Sequence, residues 1–338
     1  MASKSGRIIR TEQKYSLKRG LLKWEVFLVA IFLAVNVMNA CISPYYLSVN
    51  GLFTATSSFL EKAFIVLPMA YVLLLGEIDI SVGATVALSA CMLGITYNAG
   101  LSMGLAVVVC LLVGSLCGAL NGLILTRFTE LAPMIVTLGT QILFRGIAEL
   151  LLKEQASGGF TKVAWFKNLY WGKVGVVPVM FLIFALCAVL FGIVMHCTTF
   201  GRRMYAIGSN SRAAKYSGIH VQRIRFLVYT LTGTFSAVTA VFLASGMGSV
   251  RSNIAAGYEL EAISMVVLGG ILTEGGKGSF PGAILAIFIL GFLRYGLGLV
   301  NVPSQLMMVI IGLLLILVVL VPKLRWKRFL PGNASKSI

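Results

Sequence analysis

The chain has 338 residues, 58% of them hydrophobic and only 12% charged, with a mean hydropathy of +0.94. That composition excludes a soluble globular protein and leaves no room for a soluble domain larger than a loop. The net charge of +17, from 28 Lys and Arg against 11 Asp and Glu, would suggest nucleic acid in a soluble chain. Here the charges sit between apolar runs and report topology, so no nucleic-acid partner is expected.

Residues 1–24 carry Lys4, Arg7, Arg10, Lys14, Lys18, Arg19 and Lys23, and no small-residue cleavage site follows the next apolar run. They read as a basic cytoplasmic tail and not as a cleaved signal. Apolar runs then fall at about 25–43, 51–75, 81–98, 101–125, 131–152, 174–197, 226–246, 259–272, 280–299 and 304–322. The expectation is an all-α, polytopic membrane protein of about ten transmembrane helices, spanning 25–322 and ending in a second basic cytoplasmic tail, 323–338. The run 51–75 begins polar, and 81–98 and 259–272 are short and contain glycine.

Charge fixes the orientation. With the N-terminus inside, the inner segments hold the tail cations, Arg127, Arg202, Arg203, Arg212, Lys215, Arg223, Arg225, Lys277 and the C-terminal cluster from Lys323 to Lys336. The outer segments hold Lys153, Lys162, Lys167, Lys173 and Arg251, so both termini are expected in the cytoplasm of a bacterial inner-membrane protein. Lys62, Arg145 and Arg294 fall inside spans; Glu61 adjoins Lys62, Glu149 lies one turn beyond Arg145, and Arg294 has no local partner. Cys41, Cys91, Cys110, Cys117, Cys187 and Cys197 lie in or beside apolar runs without a CxxC, and the histidines are His196 and His220. These read as small core residues, with no metal or redox site expected.

Two segments repeat at an offset of 199 residues. Gly76 to Ala84 and Gly275 to Ala283 share Gly–x6–Gly–Ala, with Gly76 and Gly83 answering Gly275 and Gly282, while Gly276 and Gly278 enrich the second copy. Upstream, Glu61 and Glu261 lie at nearly equivalent places. Such paired interruptions point to broken helices beside a transport path, the alternative being two tight turns between packed helices.

The segment 199–225 is polar and strongly basic between two apolar runs. Ser209, Asn210 and Ser211 offer N-cap oxygens, Arg212 to Ser217 suits a short helix, and Gly218 suits its C′ position. A capped helix is more than a link between spans requires. It reads either as a docking helix for a soluble partner or as a basic loop kept for topology.

In this order, GEIDISVG (76–83), NGLILTRF with LAPMIVTLGT (121–140), GRRMYAIGSNSRAAKYSGI (201–219) and GGKGSFPGA (275–283) resemble the permease subunits of sugar-type ATP-binding-cassette (ABC) importers. These are the relatives of ribose, xylose, rhamnose and autoinducer-2 permeases, and the resemblance covers about residues 25–325. The family motif usually reads Gly-Gly-Ile-Asp-Leu-Ser, and here Glu77 replaces the second glycine. FLEKAF (59–64) and FRGIAELLLKEQASGGF (144–160) resemble the rhamnose and autoinducer-2 types most.

The resemblance implies a permease domain over 25–322 that pairs with a second copy or a paralogue and moves a sugar or sugar-like solute inward. Two cytoplasmic ATPase subunits would hold ATP and Mg, and an extracytoplasmic binding protein would deliver the solute. The 199–225 loop would be the coupling loop, with Gly201, Arg202, Ala206, Gly208, Asn210, Arg212, Ala213, Ala214, Tyr216 and Gly218 engaging the ATPase. Ala213, Ala214 and Tyr216 are expected to form the contact surface, with Arg212 and Lys215 steering toward acidic groups.

The chain lacks G-x-x-x-x-G-K-[ST], since GGKGS at 275–279 is too short, and it shows no nucleophile–base pair. No cofactor of its own and no enzymatic activity are expected. An uncharged sugar needs exchangeable hydrogen bonds in a wet path. The candidates are Asp79, Ser81, Thr137, Thr140, Gln141 and Arg145, with Thr137, Thr140 and Gln141 sharing one helix face. Against this, hydroxyls on membrane helices often bond their own backbone. The rival readings are a branched-chain amino acid ABC permease, which should carry clearer pocket charges, and an ATPase-independent secondary transporter, which should carry acidic relays.

Overall fold

A computed structural model describes residues 24–153, 155–303 and then 305–307, 309, 310, 312, 313 and 316. The two basic tails and most of the run 304–322 lie outside these. The helices are α1 (Trp24–Ile42), α2 (Val49–Ser57), α3 (Leu60–Leu74), α4 (Val82–Asn98), α5 (Met103–Arg127), α6 (Pro133–Leu152), α7 (Ala164–Trp171), α8 (Val179–Cys197), α9 (Thr199–Ser209), α10 (Ser211–Tyr216), α11 (Val221–Met247), α12 (Tyr258–Leu268) and α13 (Phe280–Leu299). The protein is an all-α polytopic membrane protein. Helices α1, α5, α6, α8, α11 and α13 are long and apolar enough to cross a bilayer alone.

The remaining runs depart from single spans for local reasons. The run 51–75 is two helices, α2 and α3, bent by 61°. At the break, Ser57 and Ser58 turn their hydroxyls onto the Phe53 and Ala55 carbonyls, which competes with the helical ladder. The run 259–272 is helical only to Leu268, because Gly270 takes a left-handed φ of 90°. Trp24 lies against Gly270 and donates through Nε1 to Leu268 O at 3.0 Å, which docks α1 there. Helix α4, with 17 residues, is a shorter apolar helix.

Helix α3 is the centre of the core: every residue from Leu60 to Leu74 is buried, Glu61 and Lys62 included. A helix apolar on all sides must be enclosed by others, and α8, α11, α12 and α13 pack around it. Helices α5 and α11 approach through small residues, so that a Cβ on Gly118 would meet Tyr229 O at 2.3 Å and one on Gly233 would meet Gly114 O at 2.2 Å. Ser115 and Thr234 join their hydroxyls across this seam at 2.8 Å. Of the cysteines, Cys91, Cys110 and Cys117 are buried core residues, whereas Cys41 and Cys197 are exposed. These two sit at helix ends, where the chain leaves the packed region.

Contacts sort the helix ends into two faces. On the first, Ser157 pairs with Val250 in a two-residue ladder, Asn98 donates to Ser157 Oγ at 2.8 Å, and Tyr170 Oη donates to Ser57 O at 3.1 Å. On the second, Gly276 N donates to Leu74 O at 2.8 Å and Arg225 donates to Leu125 O at 3.1 Å. Helices α9 and α10 also lie on the second face, where Tyr205 Oη donates to Gly278 O at 2.8 Å.

Candidate functional site

The repeated glycine segments meet each other. Gly76 and Gly275, equivalent by the 199-residue offset, both have φ of 80°, and a Cβ on Gly275 would lie 2.6 Å from Gly76 N. Only residues without a side chain allow that approach in this conformation. Gly276 completes the junction through its bond to Leu74 O, and Gly278 lies against Ile271. Gly83 leaves room for the Glu259 carboxylate, and Gly282 for Gly269 O, with added Cβ atoms falling 2.2 and 2.1 Å from them.

At the far end of the same two helices the 199-residue offset recurs. Lys62 Nζ pairs with Glu261 Oε2 at 2.9 Å. The equivalence noted between Glu61 and Glu261 is therefore shifted by one residue, to Lys62 and Glu261. Equivalent residues thus meet at two places, near the starts of α3 and α12 and again beyond their ends, so the two packed helices run in the same sense.

The charges inside the spans find long-range partners. Lys62 is bound to Glu261, not to the adjoining Glu61, and sits 4.5 Å from the centre of the Tyr258 ring. Arg294 pairs with the other oxygen of Glu261. Arg145 does not turn to Glu149; it donates to Ser252 O and Ile254 O at 2.7 and 2.8 Å. Helical neighbours one turn apart lose here to carbonyls and carboxylates that tertiary packing places in front of the cation.

The candidate path residues surround the start of α4. Asp79 accepts from Ser81 N at 2.9 Å and from Ser81 Oγ at 2.7 Å, and Asn121 donates to Ser81 Oγ at 2.8 Å. Thr137 is buried on α6, accepts from Ile80 N at 3.2 Å and lies 3.0 Å from Pro133 O. Thr140 bonds Thr137 O at 3.2 Å, and Gln141 donates to Glu259 Oε1 at 3.2 Å. The shared face of α6 is present, and it is turned toward Ile78–Ser81 and α12. Asn121 and Glu259 belong to this cluster and were not among the candidates; the NGLILTRF motif held Asn121 in view. Asn121 Oδ1 and Glu259 Oε2 are buried with no protein partner among the described residues.

The basic loop contains two helices, not one. Helix α10 is the expected one: Asn210 Oδ1 accepts from Ala213 N at 3.0 Å. Gly218, at φ 82°, closes it with bonds from Gly218 N to Lys215 O and from Ile219 N to Ala214 O, the paired pattern of a Schellman end. Helix α9 was not expected. It starts at the Thr198 side chain, buries Gly201, Met204 and Ile207, and leaves Arg202 and Arg203 exposed. Spacing of three along the helix supplied that signal, but the glycines at 201 and 208 obscured it.

Several coupling candidates face the core instead of solvent. A Cβ on Gly201 would meet Met195 O at 1.9 Å, and one on Gly208 would meet Leu74 O at 1.9 Å and Gly276 N at 2.4 Å. Ala206 is half-buried. Ala214 is buried, which corrects its place in the expected contact surface: it lies on the inner side of α10, turned toward the rest of the chain. The solvent face of α10 is made by Arg212, Ala213, Lys215 and Tyr216, the last 93% exposed.

Residues 51–319 match the family described as branched-chain amino acid transport system / permease component. The chain is 37% identical over 301 residues to the autoinducer 2 import system permease protein LsrD of Salmonella paratyphi B, covering 88% of this chain and 90% of that one. It is 39% identical to the LsrD protein of Yersinia enterocolitica and 38% identical to that of Yersinia pestis, with the same coverage. No solved structure matches it. With the apolar helices and the four motifs in order, these matches establish that the chain belongs to this family of multi-pass inner-membrane permeases and is a permease subunit of the sugar-type ABC importers.

Proposed function

We propose that this subunit moves a sugar or sugar-like solute inward, of the autoinducer-2 type for which its relatives are named. The relatives' identity over most of the chain supports this over a branched-chain amino acid. The subunit works with two ATPase subunits that hold ATP and Mg, an extracytoplasmic binding protein and a second permease subunit, and it performs no bond chemistry itself. Both termini and the face carrying α9 and α10 lie in the cytoplasm, in keeping with the positive-inside distribution. Asp79, Ser81, Thr137, Thr140, Gln141 and Arg145 shape the solute path, with Asn121 and Glu259 among them.

The observation that carries the docking part is helix α10: capped at both ends, and presenting Arg212, Ala213, Lys215 and Tyr216 to solvent. A six-residue helix is marginal by itself, and both caps hold this one for a contact outside the chain. Reconstitution with the ATPase and binding protein tests the reading. Labelled autoinducer 2 should accumulate only with ATP, and excess leucine should not compete. Uptake persisting without ATP would support a secondary transporter, and competition by leucine would support the amino acid permease.

A further inference from the structure

The coupling loop grips the membrane core at two points away from its docking face. On one side Tyr205 Oη donates to Gly278 O at 2.8 Å, and Gly208 lies against Gly276. On the other side, at the end of the loop in the second turn of α11, Arg225 Nη2 meets Glu77 Oε1 at 2.5 Å while its Nη1 donates to Leu125 O at 3.1 Å. The side chains of Glu77 and Arg225 are only 6% and 19% exposed, so the pair works in a poorly screened setting where a charge-assisted bond is short and directional. Glu77 stands in the first glycine motif and Gly276 and Gly278 in the second. The motifs meet where Gly275 lies against Gly76, and Gly276 N ties the second motif to Leu74 O at the end of α3, just before the first motif. The contacts close a ring through α9, the second motif, the first motif and α11.

A ring of this kind constrains motion. If the loop pulled on the second motif alone, the Gly276–Leu74 bond and the Gly76–Gly275 contact would have to break. If it pulls on both motifs, those contacts survive and α4 and α13, which start from the two motifs, move together. We propose that the Arg225–Glu77 ion pair and the Tyr205–Gly278 hydrogen bond are two struts that carry displacement of the coupling loop into both glycine motifs at once. Glu77, Arg225 and Tyr205 are thus positioning residues for transport. The proposal rests on the reading of 199–225 as the ATPase-coupling loop.

The test uses the full transporter, with its ATPase and binding protein, in proteoliposomes, and reads uptake per ATP hydrolysed. Glu77→Gln or Arg225→Gln alone leaves a buried charge and is expected to lower stability. The double variant Glu77→Gln/Arg225→Gln removes both charges and should restore melting temperature and ATPase copurification. In the double variant uptake per ATP should still fall by about fivefold or more. Tyr205→Phe, which deletes one hydroxyl, should lower the same ratio with the ATPase still bound. A merely structural role would return the ratio to that of the wild type in the double variant, and that result overturns the proposal. Loss of ATPase copurification in the stable double variant also overturns it, because the pair would then serve docking. Failure of the docking reading itself appears separately, as an ATPase that stays bound when Arg212 and Tyr216 on α10 are changed to Ala.

Discussion

Glu261 stands between two cations, with Lys62 on one carboxylate oxygen and Arg294 on the other. Changing it to Gln strands both ammonium and guanidinium in a region that is largely desolvated. Removing one member of such a buried pair costs about 3–5 kcal/mol. Lys62→Met is milder, since Glu261 keeps Arg294. Thermal unfolding in detergent should therefore show a clearly larger drop for Glu261→Gln than for Lys62→Met; equal drops would mean the triad is solvated in the membrane. The sequence displayed all these charges but not their pairing. Arg294 and Glu261 are 33 residues apart on different helices, and local spacing favoured Glu61 and Glu149 as partners. Long-range geometry, which no window of sequence contains, decided between them.

At the level of the element, α10 was legible because its causes are local. A cap oxygen at Asn210 and a left-handed Gly218 bracket it, and both are chemistry of single residues. Gly218→Val places a β-branched side chain at φ 82°, costing of order 1–3 kcal/mol, and should fray α10 and reduce copurified ATPase while the permease still inserts. Tyr216→Ala should weaken ATPase binding with no change in melting temperature, since that side chain touches little of its own chain. Ala214→Trp is a different experiment: the position is buried, so it should lower loop stability first and binding only as a consequence. Helix α9 was hidden because its reason for being helical is the core it rests on, through Gly201 and Gly208. The break between α2 and α3 was legible only in part: the polar start of the run 51–75 marks its place, at Thr54, Thr56, Ser57 and Ser58, but not the bend of 61°.

Across the whole molecule, hydropathy marked the apolar runs, and the repeated glycines marked the junction of the halves. The parallel meeting of α3 and α12 was not legible, because only the packed structure brings Lys62 to Glu261 and Gly76 to Gly275. Sidedness is the remaining large-scale property, and the fold makes it testable. Helix α8 has 19 residues, about 28 Å at the helical rise, and it separates Asn168 on the first face from the α9–α10 loop on the second. One crossing divides them, so an impermeant thiol reagent should reach the two from opposite sides. Asn168 and Lys215 are both exposed. Lys215 is the better probe in the loop because the Asn210 side chain is occupied in capping α10. With the exposed Cys41 and Cys197 replaced by Ser, Asn168→Cys should label in intact cells and Lys215→Cys only in inverted membranes. Reversal of both would invert the assignment made from charge, and labelling of both from one side would mean that α8 does not span the membrane.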